Sequence, residues 1–174
     1  MIKENFQKAR VLSIEPIKPV FSLLEKNLSS LFSDIEFLEV ALSDFEGSIS
    51  MHFDPHNTLS TEVIEDGLSN VMATTLDNLI VENGIDSIDI LKLDVEKHEL
   101  EVLCGASKAL EITRYLFLEI TLTDNEKYTF TELCSALYVP GVFNFQLIHS
   151  RNYSDSSEGF PQIMDCVFVN KLLS

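Results

Sequence analysis

The sequence contains no tryptophan, and cysteine, glycine and proline are all scarce, with three, six and five residues among 174. Cys104, Cys134 and Cys166 are far apart and odd in number, which fits neither a disulfide framework nor the spacing of a metal site. Each cysteine has apolar neighbours, so we expect three small buried side chains without reactivity. A reducing, cytoplasmic location and a protein without a bound metal follow as expectations.

Basic residues are also few, because 12 lysines and arginines stand against 28 acidic residues and give a formal charge of −16. A nucleic-acid partner or an anionic membrane surface would require a basic patch, and the lysines and arginines here are scattered. No apolar run approaches the ~20 residues of a membrane-spanning helix. Residues 1–10 also lack the apolar core of a signal peptide. These absences predict a globular protein that binds neither nucleic acids nor membranes.

Turn-forming glycine is missing where a nucleotide-binding protein would need it. The glycines at 47, 67, 84, 105, 141 and 159 form no glycine-rich turn after a strand. The sequence therefore offers no phosphate loop and no dinucleotide fingerprint.

What the sequence does contain is an alternation of strand-like and helical patterns over one predicted domain, residues 1–174. Alternation of this kind is typical of a parallel sheet covered on both faces. Two late strands without a helix between them predict an antiparallel hairpin at one edge. The predicted class is therefore α/β, a doubly wound, mostly parallel sheet with an antiparallel edge strand. The predicted strands are 11–15, 35–42, 48–53, 88–94, 114–120, 143–148 and 165–170, the predicted helices 19–29, 75–83, 99–110 and 128–138, and the predicted polar connections 56–70 and 149–162.

The segment 88–105 carries the strongest functional signal, because an apolar strand runs into Asp94 and Glu96 and then directly into an amphipathic helix. In open parallel sheets, ligands bind beyond the carboxyl ends of the strands. Acids two positions apart at a strand end project to the same side, and neither belongs in a core. These carboxylates could bind a cationic cofactor, orient a substrate hydroxyl or take its proton. The alternative is that one of them caps the following helix.

Two further side chains are candidates for this rim. His98 could act as a general base, and the alternative is an exposed histidine at the start of a helix. Glu119 ends an apolar strand, so we expect it at the same edge of the sheet as Asp94. By contrast, His52 and His56 flank Asp54 in a spacing that matches no specific metal signature, and a solvated turn explains them.

Earlier strands also end in polar side chains. Glu15 closes the first strand, where a carboxylate could accept hydrogen bonds from ribose hydroxyls or could simply be solvated. Ser43 and Asp44 follow the second strand and could reach an adenine ring, although a turn at Ser-Asp-Phe-Glu-Gly explains them equally well.

Together these segments resemble the FkbM-type family of S-adenosylmethionine-dependent methyltransferases. The resemblance covers nearly all of the chain in the family's order and spacing, and 88–105 is its most specific part. The matching text is V-L-S-I-E-P at 11–16, V-A-L-S-D-F-E-G at 40–47, T-T-L-D-N-L at 74–79, I-D-I-L-K-L-D-V-E-K-H-E-L-E-V-L-C-G at 88–105, Y-L-F-L-E-I at 115–120 and D-C-V-F-V-N at 165–170.

The resemblance implies a seven-stranded Rossmann-like sheet that uses S-adenosylmethionine to methylate a hydroxyl oxygen of a sugar or natural product. It implies that Glu15 holds the cofactor ribose and that Ser43 and Asp44 lie near the adenine. It further implies that Asp94 and Glu96 line the reaction site, with Glu119 nearby.

Two departures from the family pattern leave alternatives open. The family's first strand and glycine-rich loop have no counterpart in the sequence, and Lys97 stands where the family has glycine in D-V-E-G. Two strand edges would then be exposed, and homo-oligomers could form through them. A non-catalytic, methyltransferase-like scaffold is therefore the main alternative, and another nucleotide-binding module such as a dehydrogenase is a weaker one.

Overall fold

The computed structural model describes residues 9–29, 35–53, 61–63, 69–122, 127–155 and 161–174. The chain packs as two compact units, one formed by Met1–Ala41 with Gly47–Ala73 and the other by Leu42–Glu46 with Thr74–Ser174. The single domain predicted over residues 1–174 stays a prediction.

The first unit begins with a parallel strand pair joined by a helix. Strands β1 (Val11–Ile14) and β2 (Ile35–Leu38) pair in parallel, and helix α1 (Lys18–Ser29) lies between them in the chain. Phe21 of α1 is buried and meets Phe37 of β2 edge-on, with 6.4 Å between ring centroids. The predicted strand and helix are confirmed, although β2 ends four residues before the predicted strand does.

A small four-stranded sheet follows, in which β4 is antiparallel to β5 and β6, and it corrects the predicted loop over residues 56–70. Its strand order is β3-β6-β4-β5. The loop prediction is wrong at 61–63 and 69–70, where strands lie, and its remainder falls outside the described residues. Polar and small residues in these short strands hide the apolar alternation that marks a strand. The strands are β3 (Ala41–Leu42), β4 (Gly47–Phe53), β5 (Thr61–Val63) and β6 (Ser69–Thr74).

The second unit is built on a five-stranded mixed sheet in the order β7-β8-β11-β10-β9. β7 and β8 run parallel, while β11 is antiparallel to both of its neighbours. The predicted reversal of the last strand is confirmed, and that strand lies inside the sheet, between β8 and β10. The hairpin is longer than predicted, because its backbone hydrogen bonds continue through polar residues. The strands are β7 (Ile88–Leu93), β8 (Thr113–Thr121), β9 (Tyr138–Val139), β10 (Phe143–Asp155) and β11 (Pro161–Asn170).

Four helices accompany this sheet in the described part of the second unit: α2 (Leu76–Glu82), α3 (Glu99–Cys104), α4 (Ser107–Glu111) and α5 (Phe130–Ala136). Thr75 caps α2 by accepting a hydrogen bond from the Asn78 amide at 3.1 Å, and Gly84 follows the helix with φ of 58°. The predicted start and stop of this helix are therefore confirmed.

The predicted helix over 99–110 is wrong as one continuous helix: the segment is helical, but it breaks at Gly105 into α3 and α4. The carboxylate of Asp77 accepts hydrogen bonds from the amides of Lys108 and Ala109 at 2.8 and 2.9 Å. These amides belong to the first turn of α4, so Asp77 of another helix satisfies them and favours a new helix start there. The apolar periodicity continues through the break, which is why the sequence pattern did not reveal it.

The core of the second unit lies on one face of the sheet. Along β8 the side chains of Leu116, Leu118 and Ile120 are fully buried, and they alternate with the half-buried Phe117 and Glu119. This alternation shows that β8 turns its apolar side toward the core and its other side toward a partly open face. Because β7 and β8 run parallel, with Leu93 opposite Leu118, their carboxyl ends lie at the same edge of the sheet.

The three cysteines are free thiols. Cys166 is buried, and burial raises its pKa to about 11. Burial also raises the pKa of Cys134, and partial desolvation with the negative charges of Asp44 and Glu101 raises the pKa of Cys104, which disfavours the reactive thiolates. The expectation of burial is wrong for Cys104, because α3 turns Val102 and Leu103 to the core and leaves Cys104 exposed.

In the described part of the chain no helix combines the length and apolar character needed to cross a membrane.

Candidate active site

The turn that follows β7 has an unusual backbone. Glu96 and Lys97 are consecutive residues with φ of 50° and 67°, in the left-handed region that side chains other than glycine disfavour. The strand itself ends at Leu93. The prediction that Asp94 and Glu96 project to the same side relied on strand geometry continuing to 96, and the turn removes that basis. Lys97, which replaces the family's glycine, thus occupies a position whose backbone conformation suits glycine.

Asp94 is exposed at the end of β7 and pairs with Lys92, with 2.5 Å between Oδ2 and Nζ. The residue at the N-cap of α3 is His98, whose side chain makes no capping hydrogen bond. The capping alternative for Asp94 and Glu96 is therefore wrong, because neither acid occupies the cap position. The Asp94 carboxylate lies at the surface, where a ligand can reach it.

Carboxylates from three neighbouring strands meet beside Asp94. Leu93 pairs with Leu118, which places Asp94 beside Glu119, and Glu119 in turn pairs with Asp165 of β11. The pKa of Glu119 is raised, first by burial and then by the negative charge of Asp94, while Lys92 opposes the shift. The expected neighbourhood of Asp94 and Glu119 is confirmed. Asp165 also lies beside Glu119, which only the strand pairing of the structure reveals.

His98 lies inside the protein and not at its surface. Its side chain is buried, with Nε2 3.1 Å from Ser43 Oγ and Nδ1 3.5 Å from Glu101 Oε2. The alternative of an exposed helix-start histidine is therefore wrong, because the start of α3 packs against Ser43. Burial lowers the pKa of His98; the charges of Glu101 and Asp44 oppose the shift, and Lys127 adds to it.

The Ser43–Asp44 turn is part of the same packing. Ser43 is fully buried, its amide donates to the Thr74 carbonyl at 3.0 Å, and its hydroxyl lies 3.2 Å from Asp44 Oδ1. Its carbonyl oxygen lies so close to Gly105 that a Cβ there would stand 2.3 Å away. Ser43 and Asp44 thus lie beside the helix that follows β7, and their proximity to an adenine stays a prediction.

Glu99 is the residue that the sequence reasoning missed. Its carboxylate is buried, accepts a hydrogen bond from Tyr128 Oη, and lies 3.3 Å from the amide of Lys97. Burial raises its pKa, and the bonds from Tyr128 and the backbone oppose that shift. A signal was present, because Glu99 shares helical spacing with the core residues Val102 and Leu103, where an acid calls for a specific partner.

Glu15 belongs to the first unit and is half-buried at the end of β1. Its Oε1 accepts a hydrogen bond from the Ile17 amide at 2.8 Å, and its own amide donates to the Leu38 carbonyl at 3.1 Å. Burial raises its pKa, and the bond from Ile17 opposes the shift. The carboxylate thus lies beside the start of α1, and its role toward a ribose stays a prediction.

Among the described residues no group of three or more histidine, cysteine or acidic side chains is placed to hold a metal ion. Asp54, His56 and the side chain of His52 lie outside the described residues. The exposed Asp94 carboxylate at the end of β7 suits a cation or a hydroxyl group, not a phosphate.

These features define an α/β protein with a mixed sheet and an acidic turn after a parallel strand whose last residue, Leu93, is buried. Residues 1–154 match the methyltransferase FkbM domain, and the chain belongs to that family. The weaker alternative, a dehydrogenase-type module, is therefore wrong.

Two curated relatives are methyltransferases that carry a substrate class or position in their names. The hexuronic acid methyltransferase AglP of Haloferax volcanii is 31% identical over 114 residues, which cover 65% of this chain and 48% of that protein. The 2-O-methyltransferase NoeI of Sinorhizobium fredii is 29% identical over 140 residues, covering 70% of this chain and 56% of that protein. The chain thus spans about half the length of these relatives.

A solved structure shares the fold. The crystal structure of methyltransferase FkbM from Methylobacillus flagellatus aligns with a TM-score of 0.56 and 16% identity, covering 90% of this chain and 36% of that one. At this level of identity the likeness establishes the α/β fold.

Substitution of Lys97 by glycine tests the strain in the turn. Lys97→Gly should raise the free energy of unfolding by about 1 kcal/mol, because glycine adopts a φ of 67° without the clash that a Cβ causes. Urea denaturation measures the change. Lys97→Ala is the matched control, since it removes the ammonium group and keeps the Cβ. An equal gain in both variants would assign the effect to charge and refute the strain.

Substitution of His98 by glutamine tests its burial through pH. The unfolded histidine takes a proton near its ordinary pKa of 6.5, whereas the folded pKa is lower. The unfolded state therefore binds more protons below about pH 6.5, and the stability that neutral His98 contributes is complete above that pH and is lost as pH falls. As pH falls from about 7.5 to 5.5, the wild type should therefore lose more unfolding free energy than His98→Gln does. A free-energy difference between the two proteins that stays constant or increases would contradict the burial.

Proposed function

We propose that this domain transfers a methyl group from S-adenosylmethionine to a hydroxyl oxygen of a sugar or natural-product substrate. The match of residues 1–154 to the methyltransferase FkbM domain is the observation that carries the proposal. The names of the two relatives, a hexuronic acid methyltransferase and a 2-O-methyltransferase, support a glycan or sugar-containing acceptor.

In the proposed reaction the chain aligns the acceptor hydroxyl for in-line attack on the methyl group of the cofactor's sulfonium, and the cofactor leaves as the neutral thioether. Asp94 and Glu96 would line the reaction site. The exposed Asp94 carboxylate favours a positively charged ligand, and Lys92 partly balances its charge. Glu119, whose pKa is raised by burial and by the charge of Asp94, would accept the proton that the acceptor hydroxyl releases.

His98 is also a proposed site residue, and its surroundings favour a supporting role over direct proton transfer. Its two ring nitrogens lie 3.1 Å from Ser43 Oγ and 3.5 Å from Glu101 Oε2, inside the unit. We therefore assign it to holding the start of α3 against the turn that carries Ser43. Glu15, Ser43 and Asp44 are proposed to bind the ribose and adenine on the family resemblance alone.

The proposed partners and location follow from composition and strand edges. Within the described residues β7 pairs only with β8, and β1 only with β2, so each strand has an edge at which a further strand could pair. This supports a homo-oligomer as a proposal, beside a small-molecule or glycan substrate. The charge of −16 disfavours nucleic acids, and three free thiols are compatible with the cytoplasm.

Methyl transfer itself is the test. The purified chain is incubated with methyl-labelled S-adenosylmethionine and a panel of glycans that contain hexuronic acids or neutral hexoses. Label should enter an alkali-stable ether product, and Asp94→Asn should lower turnover by about 100-fold. Asp89→Asn is the matched control, since it removes an equally exposed acid on β7. The proposal fails if no acceptor is labelled, or if both variants lose the same activity.

A further inference from the structure

The buried carboxylate of Glu99 requires an explanation, because acidic side chains are rarely enclosed without specific partners. Glu99 is 2% exposed and lies at the first position of α3. Its carboxylate accepts hydrogen bonds from the phenol of Tyr128 and the amide of Lys97. The carboxylate therefore faces inward, toward the turn that precedes its own helix, and not outward toward a ligand.

The bond to Lys97 joins Glu99 to the most strained part of the chain. Lys97 is the second of the two left-handed residues, and its amide lies 3.3 Å from Glu99 Oε1. Two consecutive non-glycine residues in this region persist only where the surroundings hold them there. A carboxylate that reaches back two residues to that amide closes the turn and supplies such a restraint.

The bond from Tyr128 fixes the other carboxylate oxygen to a separate element. Tyr128 is buried in the hydrophobic core and directly precedes Thr129, the N-cap of α5. Thr129 forms a capping box with Glu132, so the backbone beside Tyr128 is itself well held. Glu99 thus connects the turn after β7 with the start of α5.

We propose that Glu99 is a positioning residue: held by Tyr128, its carboxylate fixes the turn of residues 94–98 and so sets where Asp94 and Glu96 stand. The effect of this positioning on catalysis rests on the proposed function. The effect on the turn itself does not, so the two claims can be tested separately.

Hydrogen exchange tests the effect on the turn in the full chain. Glu99→Leu keeps the volume and removes both acceptor oxygens, so the amides of residues 95–98 should exchange about 10-fold faster or more. Glu99→Gln keeps an acceptor for the Lys97 amide and should restore most of the protection. Tyr128→Phe should give intermediate exchange. Glu111→Leu, which replaces an exposed acid at the end of α4, is the control.

A role limited to stability predicts faster exchange over the whole chain. Glu99→Leu leaves the Tyr128 hydroxyl and the Lys97 amide without this acceptor, so it should also lower the midpoint of urea unfolding. A positioning role requires in addition that exchange at residues 95–98 rises well beyond that of the rest of the chain. Unchanged exchange at 95–98 in Glu99→Leu overturns the proposal. So does faster exchange that is uniform over the chain, which would show general destabilisation.

Turnover separates the positioning claim from the proposed function. If the wild type transfers methyl groups, Glu99→Leu should lower kcat by about 10- to 100-fold, and Glu99→Gln should recover most of it. An unchanged kcat beside a loosened turn overturns the catalytic part of the inference. If the wild type transfers no methyl group to any acceptor, the proposed function fails, and the exchange result alone decides whether Glu99 positions the turn.

Discussion

Replacement of Gly105 by alanine should destabilise the second unit by about 3 kcal/mol or more. The φ of Gly105 is −86°, which alanine adopts readily, so the expected loss is steric and not conformational. A Cβ at this position would stand 2.3 Å from the Ser43 carbonyl oxygen and 3.0 Å from Asp44 Cα. Both are backbone atoms, which a rotamer change cannot move away. Urea denaturation measures the loss.

Gly84→Ala provides the comparison for Gly105→Ala. Gly84 has φ of 58°, and an added Cβ there would meet nothing within 4 Å. Its substitution should cost about 1 kcal/mol from backbone strain alone. If Gly105→Ala proves no more destabilising than Gly84→Ala, then the end of α3 does not approach the Ser43–Asp44 turn as closely as described.

The second large effect is expected at Asn170, the fully buried last residue of β11. Its Oδ1 accepts hydrogen bonds from the amides of Asn144 and Leu172 at 3.1 and 3.2 Å, and its Nδ2 donates to the Leu110 carbonyl at 3.4 Å. Asn170→Ala leaves these backbone groups without that partner and opens a small cavity. The expected loss of unfolding free energy is roughly 3 kcal/mol.

Asn144→Ala is the matched control for Asn170→Ala, because the bond to Asn170 comes from the Asn144 backbone amide and survives the substitution. We expect the control to stay within about 0.5 kcal/mol of wild type. Comparable losses in the two variants would mean that the Asn170 side chain does not organise the end of the hairpin.

The elements that the sequence predicted well are those with strong local signals. Val11–Ile14 and Ile88–Leu93 are apolar runs of strand length, and the helix from Leu76 to Glu82 has a threonine cap and an Asn-Gly stop. Strand β5, at Thr61–Val63, and the far half of the β10–β11 hairpin were missed. Those strands are polar segments that pair in hairpins with the strand just before or after them, as at Phe53 with Thr61 and Asp155 with Pro161. Backbone hydrogen bonds hold them, which leaves little apolar periodicity to read.

The residues of the candidate site were likewise predicted only in part. Asp94 and Glu119 were expected at one edge because strand order alone brings parallel strand ends together. The burial of His98 and the contact between Gly105 and the Ser43 carbonyl depend on how α3 packs against a distant turn. Glu99 was missed because an acid in the first turn of a helix ordinarily needs no explanation beyond the helix dipole.

Calorimetric titration of S-adenosylmethionine into the wild type, Asp94→Asn, Glu15→Ala and Asp89→Asn addresses the proposed methyl-donor site most directly. We expect saturable binding by the wild type and by Asp89→Asn, and at least about 10-fold weaker binding by Asp94→Asn and Glu15→Ala. Equal affinity in all four proteins would remove both acids from the cofactor site. A wild-type chain that takes up no S-adenosylmethionine at millimolar concentration would contradict its assignment as a methyl-donor-binding domain.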